Sequence, residues 1–378
     1  MVLPEATPAL QTLTTPPHTP GPPDAAAARA PVRGSGLRAW GGVIAAMVLL
    51  AWFVWLARDV LWEAFGVIGD ASVPLLAVAV GMQMLHLVLR AWRWGLLLAP
   101  VKRHVGFYNL FSTTVIGYFA STLLPFRVGE LVRPLMLAGR EGIRRSSAIA
   151  TVGVERILDT LTVFGFLATY LLLFAGDLDS GARESSLWAK TLAWAPLAGV
   201  AMLVAIPVLF LVARFEATLF RWIRGLLHVH EGGALDRALG IAQSFVGGMA
   251  VLSRPGPALV AVGASVAVWL AIAGATWFGV LAMGLHFPDG FPFRATLLLV
   301  PLLAVGVSTP TPGGAGGYHI ICELALEQIF GADRAGAWAT ALVLWLISML
   351  PMIVMGFFFL WRSGNRVGDL GRLARTSG

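Results

Sequence analysis

The strongest constraint on this chain is the length of its uncharged apolar runs. Stretches without Asp, Glu, Lys or Arg occupy residues 39–57, 71–89, 104–126, 160–176, 191–213, 255–288, 295–322 and 335–361. A helix needs roughly 20 mainly apolar residues, at about 1.5 Å each, to cross the hydrocarbon core. Only 12% of residues are charged and 57% are apolar, with a mean hydropathy of +0.79. A soluble domain carries about a quarter charged residues, so this chain cannot cover a water-facing surface of its own size. The expected fold is an all-α polytopic membrane protein.

Two details adjust the runs. The fourth extends backward through Glu155, Arg156 and Asp159 to about residue 146, and Pro255 and Pro257 place the start of the sixth helix near 258. Loop charge then tests the topology. Suppose the N-terminus is cytoplasmic and 104–140 and 295–330 each return to the side they entered from. The inner segments then carry 21 Lys and Arg and the outer ones 5, with Arg156 inside a span. Treating 104–126 as an ordinary span moves Arg127, Arg133, Arg140, Arg144 and Arg145 outside and erases that bias. The positive-inside rule therefore favours six complete spans and two re-entrant helical hairpins, with both termini cytoplasmic. Residues 1–36, rich in Pro, Ala and Thr, read as a disordered tail, 37–362 as the membrane domain and 363–378 as a basic tail. One cysteine, Cys322, allows no internal disulfide.

The two hairpins echo each other. The first breaks at Ser121-Thr-Leu-Leu-Pro125-Phe-Arg127-Val-Gly129-Glu130 and precedes Ala148-Ile-Ala-Thr151. The second breaks at Ser308-Thr-Pro310-Thr-Pro312-Gly313-Gly314 and precedes Ala337-Trp-Ala-Thr340. From proline to threonine is 26 residues in one half and 28 in the other, counting from Pro125 and Pro312. With one hairpin entering from each side, the expected arrangement is an inverted repeat, in which secondary transporters place broken helices and substrate.

Four sets of residues carry candidate chemistry. Pro310, Pro312, Gly313, Gly314 and Gly316 lie in a run that no continuous helix survives; its freed amides either meet a ligand or close a tight turn among helices. Arg127, Glu130 and Arg133 share a helical face if helical, and either grip phosphate through arginine's planar fork or anchor the hairpin as ion pairs. Glu155, Arg156 and Asp159 lie within an apolar span, where a charge at the bilayer centre costs ~2.5–3.5 kcal/mol on insertion scales. Arg156 and Asp159 can pair at i,i+3, whereas Glu155 and Asp159 repel at i,i+4 unless one is protonated or a cation intervenes. The trio faces either a cavity or a network locking two helices. His319, Glu323 and Glu327 form a polar stripe, with Glu327 near the outer surface. His228, His230, Asp177 and Asp179 lack the partners for a metal site, and segment 214–254 reads as a basic interfacial helix. No catalytic residue, metal, cofactor or nucleic-acid partner is expected.

These motifs together resemble the membrane domain of lysylphosphatidylglycerol synthases, the flippase-like superfamily. The likeness rests on Pro125-x-Arg127-x-Gly129-Glu130-x-x-Arg133, on Glu155-Arg156-x-x-Asp159 and on Pro310-x-Pro312-Gly313-Gly314-x-Gly316, and covers roughly residues 72–362. It departs where His319 stands in place of a glutamate after the glycine run. It implies an integral protein of the bacterial inner membrane that moves an anionic phospholipid or an isoprenoid-linked lipid between leaflets. Lipid aminoacylation is not expected, since no stretch corresponds to the soluble transferring domain. On that reading Arg127, Arg133 and Arg156 hold the headgroup phosphate, while Glu130, Glu155 and Asp159 balance charge or relay a proton. A membrane-embedded enzyme or an accessory subunit acting on a lipid-linked substrate is the alternative. An oligomer is compatible with either.

Overall fold

The computed structural model describes residues 68–123, 129–174, 214–227, 254–288, 290–309 and 311–363, with isolated positions elsewhere. Most of the spans expected over 39–57 and 191–213, both tails, and Pro125, Arg127 and Pro310 lie outside the described residues.

All regular structure among the described residues is helical. The helices are α1 (Val73–Leu98), α2 (Phe107–Leu123), α3 (Gly129–Glu141), α4 (Arg145–Leu173), α5 (Glu216–Leu226), α6 (Pro255–Ala282), α7 (Thr296–Val307), α8 (Gly317–Gln328) and α9 (Arg334–Arg362). Four of them, α1, α4, α6 and α9, are long and apolar enough to cross a membrane. Helix α6 starts at Pro255 rather than near 258, because proline's missing N–H costs nothing in a first turn.

The sequence echo becomes a repeat of elements. One half runs 26, 17, 13 and 29 residues through α1 to α4, and the other 28, 12, 12 and 29 through α6 to α9. Thr151 and Thr340 occupy the seventh position of their 29-residue helices, and both are fully buried. Helices α1 and α6 pack antiparallel. The Ser72 amide at the head of α1 donates to the Ala282 carbonyl at the foot of α6 (2.7 Å), while Leu97 packs on Ala261 at the opposite ends.

The short helices pair as α2/α3 and α7/α8, and glycines let the arms touch backbone to backbone. A Cβ on Gly117 would stand 2.6 Å from Arg133 Cβ, and one on Gly129 would overlap the Gly117 carbonyl oxygen. In the second pair, a Cβ on Gly306 would stand 2.8 Å from the Gly317 carbonyl oxygen. At 12 residues, or about 18 Å, neither α7 nor α8 can span the ~30 Å core alone. Their junction holds Gly313 and Gly314 at φ 61° and 66°, a region that glycine enters without steric cost. The junction is tied to α9 by Trp345 Nε1, which donates to the Gly313 carbonyl at 3.0 Å. The pairs meet at their tips: Thr122, at the end of α2, lies against Gly313 and sits 3.7 Å from Met349 Sδ.

Replacing Gly129 by valine therefore forces the first pair apart. The expected loss is at least about 2 kcal/mol of stability, the scale of overpacking, read as a lower unfolding midpoint in detergent. Gly139→Ala on the same helix, where a Cβ meets open space, should leave the midpoint unchanged.

Candidate functional site

Helix α4 carries Glu155 and Asp159 one turn apart, both buried, so two carboxylates share one face. Cations intervene, and most come from elsewhere. Glu155 Oε1 lies 3.1 Å from Arg133 Nη1, 3.2 Å from Arg93 Nη2, 3.3 Å from Arg90 Nη1 and 3.4 Å from Arg156 Nη2. Its other oxygen accepts from Arg133 Nη2 at 2.6 Å, completing a two-pronged pair. Asp159 accepts from Arg90 (2.9 Å), Arg93 (2.7 Å) and the Trp269 indole (3.1 Å). Arg93 also donates to Ser265 Oγ at 2.8 Å, which draws α6 into the network.

Arg90 and Arg93 are members of this network that the sequence reading missed. It placed them in a cytoplasmic loop because the uncharged run stops at 89. Helix α1 instead continues to Leu98, and both arginines are buried. The signal was present: apolar Trp94, Leu96, Leu97 and Leu98 follow the two charges, too many for a loop at an interface.

The arginines expected to hold phosphate have different surroundings. Arg127 lies outside the described residues. Arg133 is buried, spends both terminal nitrogens on Glu155, and stacks 3.9 Å over the Trp94 ring, not on Glu130. Arg156 is one-third exposed, with Glu130 Oε1 at 3.6 Å and Asp159 Oδ2 at 3.7 Å. Its Nε is buried without a hydrogen-bond partner, as are those of Arg90, Arg93 and Arg133. Tyr118 of α2, which no sequence motif indicated, accepts from Arg90 at 2.6 Å and from Arg156 at 3.1 Å.

Arg156 opens onto a cavity of about 1020 Å³. Along α4 its lining passes from Arg156, Asp159 and Thr160 to Val163, Phe164 and Leu167, so charge gives way to hydrocarbon within two to three turns. Gln83, His86 and Arg90 contribute from α1, Tyr118, Ser121 and Thr122 from α2, and Glu130 from α3. Val300 to Val305 of α7 close an apolar wall, with Gly313 and Gly314 beside it. The cavity thus lies between the two short-helix pairs.

His319 and Glu323 lie off this lining. The Gly316 amide donates to His319 Nδ1 (3.4 Å), and the imidazole sits between Trp338 and Trp345. Glu323 accepts from Arg334 at 3.0 Å. Among the described residues no group of His, Cys, Asp and Glu is placed to hold a metal ion.

The profile of the family described as lysylphosphatidylglycerol synthase TM region matches residues 41–356. The chain belongs to this family. As a lysylphosphatidylglycerol synthase TM region protein it is a multi-pass membrane protein. It is 25% identical over 300 residues to the protein named glycosyltransferase AglD of Haloferax volcanii, covering 74% of this chain and 47% of that one. It is 26% identical over 132 residues to UPF0104 membrane protein MJ1595 of Methanocaldococcus jannaschii, covering 34% of this chain and 38% of that one. The chain thus spans less than half the length of either relative.

Removing Glu155 from this family member's network leaves Arg133 buried without its carboxylate partner, a change that costs about 3–5 kcal/mol. Glu155→Gln should therefore yield little folded protein on size exclusion, or a midpoint far below that of Glu323→Gln, whose partner Arg334 is 70% exposed.

Proposed function

We propose that this protein moves an anionic phospholipid or a polyprenyl-phosphate lipid between leaflets of the bacterial inner membrane. What carries the reading is the cavity, which joins a cationic end to an apolar wall between two interrupted helix pairs. The headgroup enters at Arg156, whose side chain is one-third exposed and lies closer to water than the other three arginines of the network. The acyl or prenyl chains follow the α4 and α7 side. Charge supports this assignment. Arg90, Arg93, Arg133 and Arg156 face Glu130, Glu155 and Asp159, leaving one positive charge in excess among the described residues, which an anionic headgroup balances. Glu155 and Asp159 position the guanidinium groups rather than relay protons, since every oxygen already faces an arginine.

The pairs α2/α3 and α7/α8 act as re-entrant hairpins, and both termini are cytoplasmic. With Arg90, Arg93 and Arg133 moved from loop to interior, the loops on that side still hold eighteen basic residues against five outside, so the bias survives.

In proteoliposomes with fluorescent phosphatidylglycerol in both leaflets, the protein should expose inner-leaflet label to a membrane-impermeant quencher. Arg156→Gln should slow this about tenfold or more, the scale of one lost charge-assisted hydrogen bond. Translocation at the unmodified rate would contradict the headgroup role. A second reading takes its support from the name of the Haloferax volcanii relative: the cavity presents a lipid-linked substrate for glycosyl transfer. Sugar transfer to a polyprenyl phosphate by purified protein, with no translocation, would favour it.

A further inference from the structure

Beside the charge network, the cationic end of the cavity carries two uncharged polar side chains, Gln83 and His86, on the same face of α1 as Arg90. Gln83, His86 and Arg90 stand at i, i+3 and i+7 on α1, hence on one face, and all three line the cavity. Gln83 and His86 are 4% and 3% exposed, so their polar atoms are set by contacts rather than by bulk water.

Those contacts fix which atoms remain. His86 Nδ1 lies 2.6 Å from the Gln83 backbone oxygen. A carbonyl oxygen only accepts, so Nδ1 carries the hydrogen, and the neutral ring presents Nε2 as an acceptor. The Gln83 side-chain amide donates to the Ser348 carbonyl at 3.3 Å, which leaves Oε1 as a second acceptor. Neither Nε2 of His86 nor Oε1 of Gln83 has a hydrogen-bond partner among the described residues. Across the same space stand Arg156, whose side chain is one-third exposed and lines the cavity, and Tyr118, whose Oη accepts from both Arg90 and Arg156, so its own hydrogen is free for a third group.

A bare phosphate uses only the donors. Two buried acceptors one turn apart call for ligand O–H groups, and leaving them unmet costs the desolvation of each. We infer that the cavity recognises a hydroxylated phosphodiester headgroup. Arg156 and Tyr118 hold its anionic oxygens, and His86 and Gln83 accept from its hydroxyls. A glycerol and a sugar share this chemistry. Headgroups without hydroxyls, such as choline or ethyl esters, fill the site without satisfying α1. The inference rests on the transport reading above for the presence of a lipid, but concerns selectivity alone.

The test uses the full chain in nanodiscs and two pairs of probes matched in charge. The first pair is phosphatidylglycerol against phosphatidylethanol, and the second a polyprenyl phosphohexose against the ethyl ester of the same polyprenyl phosphate. Binding is read from tryptophan fluorescence, since Trp269 lines the cavity. In at least one pair the hydroxylated lipid should bind about tenfold tighter, the scale of two neutral hydrogen bonds, and that pair identifies glycerol or sugar as the source. Gln83→Leu and His86→Leu should each shrink the preference within that pair several-fold. His86→Leu counts only if it elutes as folded protein; Gln83→Leu decides otherwise. Equal binding within both pairs, or a preference that survives Gln83→Leu, overturns the inference. Failure of all four lipids to bind overturns the transport reading instead.

Discussion

The structure turns on one carboxylate oxygen. Glu155 Oε1 stands within 3.4 Å of four guanidinium groups drawn from α1, α3 and α4, and Asp159 extends the cluster to α6. Two carboxylates one turn apart on an apolar helix repel each other and lose their hydration together. Surrounded by arginines they become the element that fixes where four helices lie. Such a network is a weak source of net stability. Its physical yield is position: Arg90, Arg93 and Arg133 are held by several contacts each, and Arg156 is left one-third exposed at the rim of a cavity. Arginine suits the task, since its planar fork serves two acceptors at once and never loses its charge.

The repeat of elements explains how one cavity comes to have both polar and apolar walls. Each half supplies a long helix, a broken pair and a 29-residue helix. The broken pairs share α4, Arg133 engaging its first half through Glu155 and Leu298 packing against its second half at Leu167 and Tyr170. They also share α9, where Phe119 fits against Gly356 and Tyr318 and Cys322 join the core around Leu344. Where the tips meet, backbone leaves helical geometry, and freed groups are tolerable in hydrocarbon only beside protein or a wet space. Protein is present here through Trp345 on the Gly313 carbonyl, and Gly313 and Gly314 also border the cavity.

Much of this was legible in the sequence, for identifiable reasons. Four of the expected spans appear as long helices, and the expected interruption at Ser308–Gly314 falls between two short ones, because apolar length and Pro/Gly breaks act locally. Glu155, Arg156 and Asp159 declared themselves by interrupting an apolar run. Arg90 and Arg93 did not, because a helix was ended at its first charge; only the packing of α1 against α4 and α6 reveals that their partners wait inside. Tyr118 carried no signal, since a lone aromatic on an apolar helix has many uses. His319 and Glu323 were read from their spacing as a polar stripe, but spacing does not say which neighbours the stripe meets, and tryptophans and Arg334 meet it. The spacing allowed Arg133 to pair with Glu130, but its fork is taken by the fully buried Glu155, while Glu130 is nearly one-third exposed.

The measurement that bears most directly on this account is an experimental structure of the protein with a bound anionic lipid. The account places the lipid phosphate within about 3 Å of Arg156 and Tyr118, with its chains along Val163, Phe164 and Leu167 and the Glu155 cluster undisturbed. A phosphate bound elsewhere on the surface, or Arg156 turned away into an intact Glu155 network while the cavity is filled by side chains, would contradict it.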